Sequence, residues 1–216
     1  MKNKIFIIVV TLLLFNVSAH AENEISIYSG YQTLPHANLN GTAYGDAIDK
    51  TIGWEGKSFS SPPYYGLKYV NWDYNIGYGI EFTHAKAYAP VTEMPTNFSR
   101  LELTDGLNLI TANAYKRWDG NLYNPFIVAG LGVSVPHVDI TYTKNGTTHK
   151  TYEYQFAGGA VRLGGGISYP INSDYSIFSE YQFTYSMNEL DLVNDGGTLS
   201  VNLVTNAINF GVSRKF

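Results

Sequence analysis

Three histidines, His36, His84 and His137, are the residues of this chain best suited to moving protons or holding a metal. Imidazole titrates near neutral pH and ligates through a neutral nitrogen. Glu55 and Glu153 add carboxylates, and Lys57 and Lys86 add cations. Three imidazoles with carboxylates at one place could bind a divalent metal or supply a general base. The sequence leaves both readings open, beside a third in which the histidines are interfacial or loop residues bonded locally. No His-x-His or His-Glu-x-x-His spacing occurs, and His149 sits in a Lys-Asn-Gly-Thr-Thr-His turn that reads as solvated. The chain has no Cys, which excludes thiolate-held metals and disulfides. Gly158-Gly159 and Gly164-Gly165-Gly166 precede no Lys-Ser/Thr, so they are strand glycines and not a phosphate loop. Ser186 has no neighbouring histidine to activate it.

The elements that must position these groups are strands. Val204, Ile208, Phe210, Val212 and Phe216 share one parity within their segment, as do Tyr175, Ile177, Tyr181, Phe183 and Tyr185 within theirs, and Ile76, Tyr78, Ile80 and Phe82 within theirs. Period two with one apolar face means β-structure. Eight strands are expected, at 24–34, 57–70, 75–88, 99–117, 122–135, 153–169, 174–187 and 198–216. Their connections alternate between tight turns (71–74, 118–121 and 170–173) and long loops (35–56, 89–98, 136–152 and 188–197). Short turns at one end and long loops at the other, with an even strand count, are the layout of an outer-membrane barrel. His36, His84 and His137 then close the first, third and fifth strands and share one rim. The chain ends in Phe216 on the outward parity, as outer-membrane barrels do, although Arg214 departs from that signal. A secreted β-sandwich is the alternative fold.

The first residues read as an address. Lys2 and Lys4, an apolar stretch Ile5–Phe15 and Ala19-His20-Ala21 make a secretory signal cut after Ala21, leaving 22–216 as one barrel domain. Removing it takes the formal charge of the 216-residue chain from −4 to −6. That acidity, with no basic stripe, argues against a nucleic-acid partner. Inside an eight-stranded barrel there is room for little but side chains. Lys68, Glu81, Glu102, Arg162 and Glu180 are expected there as an ion-pair network, with Lys68 beside Glu81 and Arg162 beside Glu180.

Several strings carry a family resemblance. They are Tyr31-Gln-Thr-Leu-Pro-His36, Gly53-Trp-Glu-Gly-Lys-Ser-Phe59 with Pro62-Pro-Tyr-Tyr-Gly-Leu67, and Phe82-Thr-His-Ala-Lys-Ala-Tyr88. Thr104-Asp-Gly-Leu-Asn-Leu109, Gly132-Val-Ser-Val-Pro-His-Val138, Glu153-Tyr-Gln155 and Thr205-Asn-Ala-Ile-Asn-Phe-Gly211 complete the set. Together they resemble the lipid A oxidase family across nearly the whole mature chain. The resemblance implies a bacterial outer-membrane barrel that uses molecular oxygen to oxidise the proximal glucosamine of lipid A to 2-aminogluconate, releasing peroxide. Its partners would be lipopolysaccharide and outer-membrane lipids. It carries over no settled cofactor and no settled catalytic residues.

Within that reading His36, His84 and His137, with Glu55 and Glu153, could act as base or hold an oxygen-activating metal. Lys57 and Lys86 could meet lipid phosphates. The barrel is expected to be a monomer. The alternative is a non-enzymatic small barrel like OmpA or OmpX, acting in membrane integrity or adhesion. A deacylase is disfavoured by the missing His-x-Ser, and a narrow channel by the charged interior.

Overall fold

A computed structural model describes residues 21–120 and 122–216. The expected signal segment, apart from Ala21, lies outside the described residues. The described residues form eleven strands: β1 Ala21–Thr33, β2 Ala37–Ala43, β3 Asp46–Ile52, β4 Tyr65–Asp73, β5 Ile76–Tyr88, β6 Phe98–Arg117, β7 Asn124–Lys144, β8 Thr147–Tyr154, β9 Gly158–Pro170, β10 Tyr175–Asp191 and β11 Thr198–Lys215. Eight of them close a ring, β1-β4-β5-β6-β7-β9-β10-β11, which β1 completes by pairing antiparallel with β11. Closure leaves no unpaired edge to aggregate or to waste hydrogen bonds in lipid. Ile25, Ile27, Leu67, Ile80, Leu131, Leu163, Ile177, Ile208 and Phe210 point outward and stay exposed as the lipid-facing belt.

Three strands were not expected. β2 and β3 form a hairpin within the first long connection, and β2 leans on β11 through Leu39–Gly41. β8 extends the wall as a hairpin with β7. The turn at Asn145-Gly146 has both residues at positive φ (51° and 77°), as a two-residue hairpin matching the strand twist requires. The expected strand 57–70 therefore starts only at Tyr65, and the expected 153–169 starts at Gly158.

The interior has two halves. Below, Arg162 bridges Glu81 (3.0 Å) and Glu180, and Lys68 bonds Glu180 at 3.0 Å. Tyr28 and Tyr115 donate to Glu81 at 2.6 and 3.1 Å. The network is the expected one with different partners. Lys68 sits opposite Glu81 in register, yet its ammonium spans the lumen to Glu180 and rests on the Phe178 ring. Glu102 is not part of it: it faces outward and pairs with Arg100 at 2.9 Å. Above, the lumen is packed with apolar side chains. Leu39, Ile52, Leu101, Leu103, Val138, Ile140, Leu190, Leu199, Val201 and Leu203 pack there with Trp54. Burying each such side chain contributes about 1.5–3 kcal/mol, so the hairpins close the barrel as a lid closes a jar.

Candidate functional site

The outward face of β5 reads Ile76, Tyr78, Ile80, Phe82, and then His84, Lys86 and Tyr88. At His84 the apolar series stops, although the residues remain on the wall that faces lipid. Neighbouring strands change at the same level, and three polar rows cross the wall. The lowest is Tyr65–His84–Asn108–Val135. The highest is Glu55–Tyr88–Glu102–Asp139–Tyr152. Between them β6 carries two extra residues: Leu103 and Leu107 face Val138 and Pro136 of β7, so Thr104–Gly106 bulges between Lys86 and His137. A bulge re-aims side chains, and here it turns Asp105 toward His137.

His84 stacks on Tyr65, ring centroids 5.1 Å apart, and its Nδ1 lies 3.0 Å from Asn108 Oδ1. With the amide oxygen accepting, Nδ1 carries the proton and Nε2 keeps the lone pair of a neutral imidazole. That Nε2 is buried without a partner. Gly106 makes the pair possible: at φ +117° it adopts a backbone few side chains tolerate, and a Cβ there would lie 2.6 Å from His84 Nδ1.

His137 Nδ1 stands 3.4 Å from Asp105 Oδ2, within ion-pair reach but poorly aligned for a hydrogen bond. Tyr152 and Tyr154 reach across β7 and cover the ring edge-on. Tyr152 donates to Asp105 Oδ2 at 3.0 Å. Asp139 is held by Arg100 at 2.8 Å. Lys86 is wholly buried, and its ammonium donates to the carbonyls of Ser60 (2.8 Å) and Lys57 (3.4 Å). Lys57 lies 4.5 Å above the Tyr88 ring and 3.3 Å from Glu55.

Five of the seven expected site residues thus share this patch: Glu55, Lys57, His84, Lys86 and His137. Two do not. His36 packs against Gly53, beside Glu93, whose carboxylate accepts the Gly53 N–H at 2.6 Å. Glu153 pairs with Val138, so it lies on the opposite face of β8 from Tyr152 and Tyr154 and bonds Gln155 instead. The single rim expected for the three histidines is therefore wrong in kind, because His84 and His137 occupy an outer wall. Nor is His149 simply solvated: it stacks on Tyr44, centroids 3.9 Å apart. Asp105, Asn108, Asp139 and Tyr152 were missed. The Thr104-Asp105-Gly106 break in the alternation of β6 was their signal. Among the described residues no three His, Asp or Glu side chains converge as metal donors.

Comparison with known proteins follows from this geometry. No protein-family profile matches the chain, and no curated protein matches it. Solved structures do. The outer-membrane protein AlkL, seen in lipid bilayers, superposes with a TM-score of 0.52 at 10% identity over 90% of each chain. Neisserial surface protein A gives 0.47 at 12% identity, covering 92% of this chain and 98% of that one. At such identities only the fold is shared. This chain is a small outer-membrane β-barrel. Its eight-strand ring, apolar outer belt and closed seam place it in the bacterial outer membrane.

Proposed function

We propose that this outer-membrane barrel oxidises lipid A, taking the proximal glucosamine to 2-aminogluconate with dioxygen as oxidant. The observation that carries the reading is the siting of the chemistry. A buried neutral imidazole nitrogen on His84 and the Asp105–His137 pair stand on the lipid-facing wall, at the upper margin of the apolar belt. An aqueous substrate would be met in a lumen or a loop cleft; here the lumen is filled by packed side chains, and the loop cleft of about 460 Å³ beside Asp46, Asp49 and Lys50 is lined by no imidazole. A membrane lipid presents its sugar at this wall.

The chemistry balances without a metal step. A histidine takes the proton of the anomeric hydroxyl as base. The C1 hydrogen passes with its two electrons to dioxygen, and the hydroperoxide formed takes the proton back from the imidazolium and leaves as hydrogen peroxide. C1 becomes a lactone carbonyl, which water opens to the acid, so the lipid gains one oxygen atom. Asp105 stabilises the imidazolium formed on His137, and Lys86 with Lys57 offers cations to phosphate.

Outer membranes carrying the protein should convert lipid A to a species one oxygen atom heavier, with peroxide formed and dioxygen required. Mass spectrometry of extracted lipid A reads this directly. Unchanged lipid A beside abundant folded barrel would return the protein to the non-enzymatic class, acting in membrane integrity or adhesion.

A further inference from the structure

Beneath the polar patch the outer wall is hollowed. Ala112, Ala114 and Ala129 form a floor, with Tyr78 and Ile80 on one side and Leu131, Val161 and Leu163 on the other. The groove measures about 730 Å³, inside the roughly 300–1,000 Å³ typical of ligand pockets. A second hollow of about 260 Å³ shares Tyr69 and Ile80 with it and rises to Phe82 and Ile110. Those two residues stand one outward row below His84 and Asn108. Hollow and patch are thus continuous, apolar below and polar above.

We infer that this wall is a binding site for one phosphorylated, multiply acylated sugar lipid, an acyl chain lying in the alanine-floored groove and the head group standing against His84, Lys86 and His137. This rests on the lipid reading of the previous subsection and adds where and how the lipid is held. The occupant follows from position. The groove opens within the apolar belt, where only hydrocarbon is at hand, and a lipid filling it carries its head group up to the unpartnered His84 Nε2. The opposite wall supplies the contrast. A groove of about 470 Å³ runs there past Ile167, Ile177, Ser179 and Phe210. Above it lie more Tyr and Phe residues of β10, Tyr181, Phe183 and Tyr185, and no buried imidazole. That groove should hold bulk lipid without choosing among head groups.

The test reads retention of lipid and not oxidation. Purified, folded barrel is loaded with lipid A or with phosphatidylethanolamine, and bound lipid is counted by native mass spectrometry. Ala112→Phe with Ala129→Phe fills the first groove, and Ser179→Phe fills the second. Lipid A retention should fall at least tenfold in the first variant with phosphatidylethanolamine little changed, whereas Ser179→Phe should lower both lipids slightly and alike. If the paired variant does not fold, Ala114→Val narrows the same floor and should lower retention in the same direction. Undiminished lipid A in the filled variant overturns the inference, as does equal loss in Ser179→Phe. A dimer that dissociates when the groove is filled would also overturn it, by making the groove an interface between copies. Groove-dependent retention without any oxidation would sustain the site and defeat the oxidase reading.

Discussion

Two buried polar regions of this barrel obey different rules. In the lumen Arg162 meets two carboxylates, Lys68 meets Glu180, and tyrosine hydroxyls satisfy what remains of Glu81. On the outer wall Lys86 is just as buried, yet among the described residues its ammonium finds carbonyl oxygens and the Tyr88 ring but no carboxylate in ion-pair reach, and the His84 Nε2 finds no hydrogen-bond partner. A buried charge that lacks its opposite is expensive. The lumen pairs its charges within the chain, although Arg162 Nη1 and Asn113 Oδ1 keep no hydrogen-bond partner, and so acts as a core. The outer wall leaves part of the cost standing, as the proposed lipid site requires.

Breaking the lumen should have the largest effect. Arg162→Met leaves Glu81 and Glu180 facing one another with Lys68 as the single cation, at a cost of about 3–5 kcal/mol. Urea-dependent refolding into lipid vesicles measures it. Lipid conversion by the folded fraction should persist, and an unchanged unfolding midpoint would remove the distinction between the regions.

The outer wall should show the reverse pattern. His84→Gln or His137→Gln should fold with near-normal stability yet depress conversion of lipid A about 10²-fold, the loss expected for a general base. His36→Gln and Glu153→Gln, which lie away from the patch, should leave conversion almost intact. Equal effects at all four positions would return the histidines to one rim. Lys86→Met sharpens the contrast further. Losing one charge-assisted contact to phosphate should weaken lipid A retention about tenfold, and stability should fall only modestly, because the Ser60 and Lys57 carbonyls lose their donor while a buried cation has gone.

The smallest effect lies above both regions. Asp46 is held below its ordinary carboxyl value by hydrogen bonds from Lys144, at 2.7 Å, and from Tyr142. Because the folded value is depressed, its support of the β2–β3 and β7–β8 hairpins is complete above the unfolded value near 4. It fades as pH falls through the folded value. Pepsin nicking of these hairpins should therefore increase only at the acid end of its working range. Asp46→Asn should be nicked at a rate that no longer varies there.

Much of the fold was legible because a strand exposes its pattern locally. Ile76, Tyr78, Ile80 and Phe82 announce an outward face on four residues alone, and Lys68, Glu81, Arg162 and Glu180 fall inward by the same count. Asn145-Gly146 announces a hairpin, although its polar flanks disguised the strands it joins. The upper apolar core was harder to see, since Leu39, Leu103 and Leu199 are far apart in sequence and make sense only when the hairpins fold over the barrel.

The candidate site divides the same way. Residue types and parity alone bring His84, Lys86 and His137 into question and put them on the parity of Phe82 and Val135. Tertiary structure alone decided the rest. Which charges meet across the lumen depends on barrel diameter, so Lys68 chose Glu180 over its strand neighbour. The placing of Asp105 against His137 depends on two extra residues of β6 that distort one strand between two others. A period-two pattern records which side of a strand a residue faces. It does not record what another strand, or a bulge in it, brings to that side.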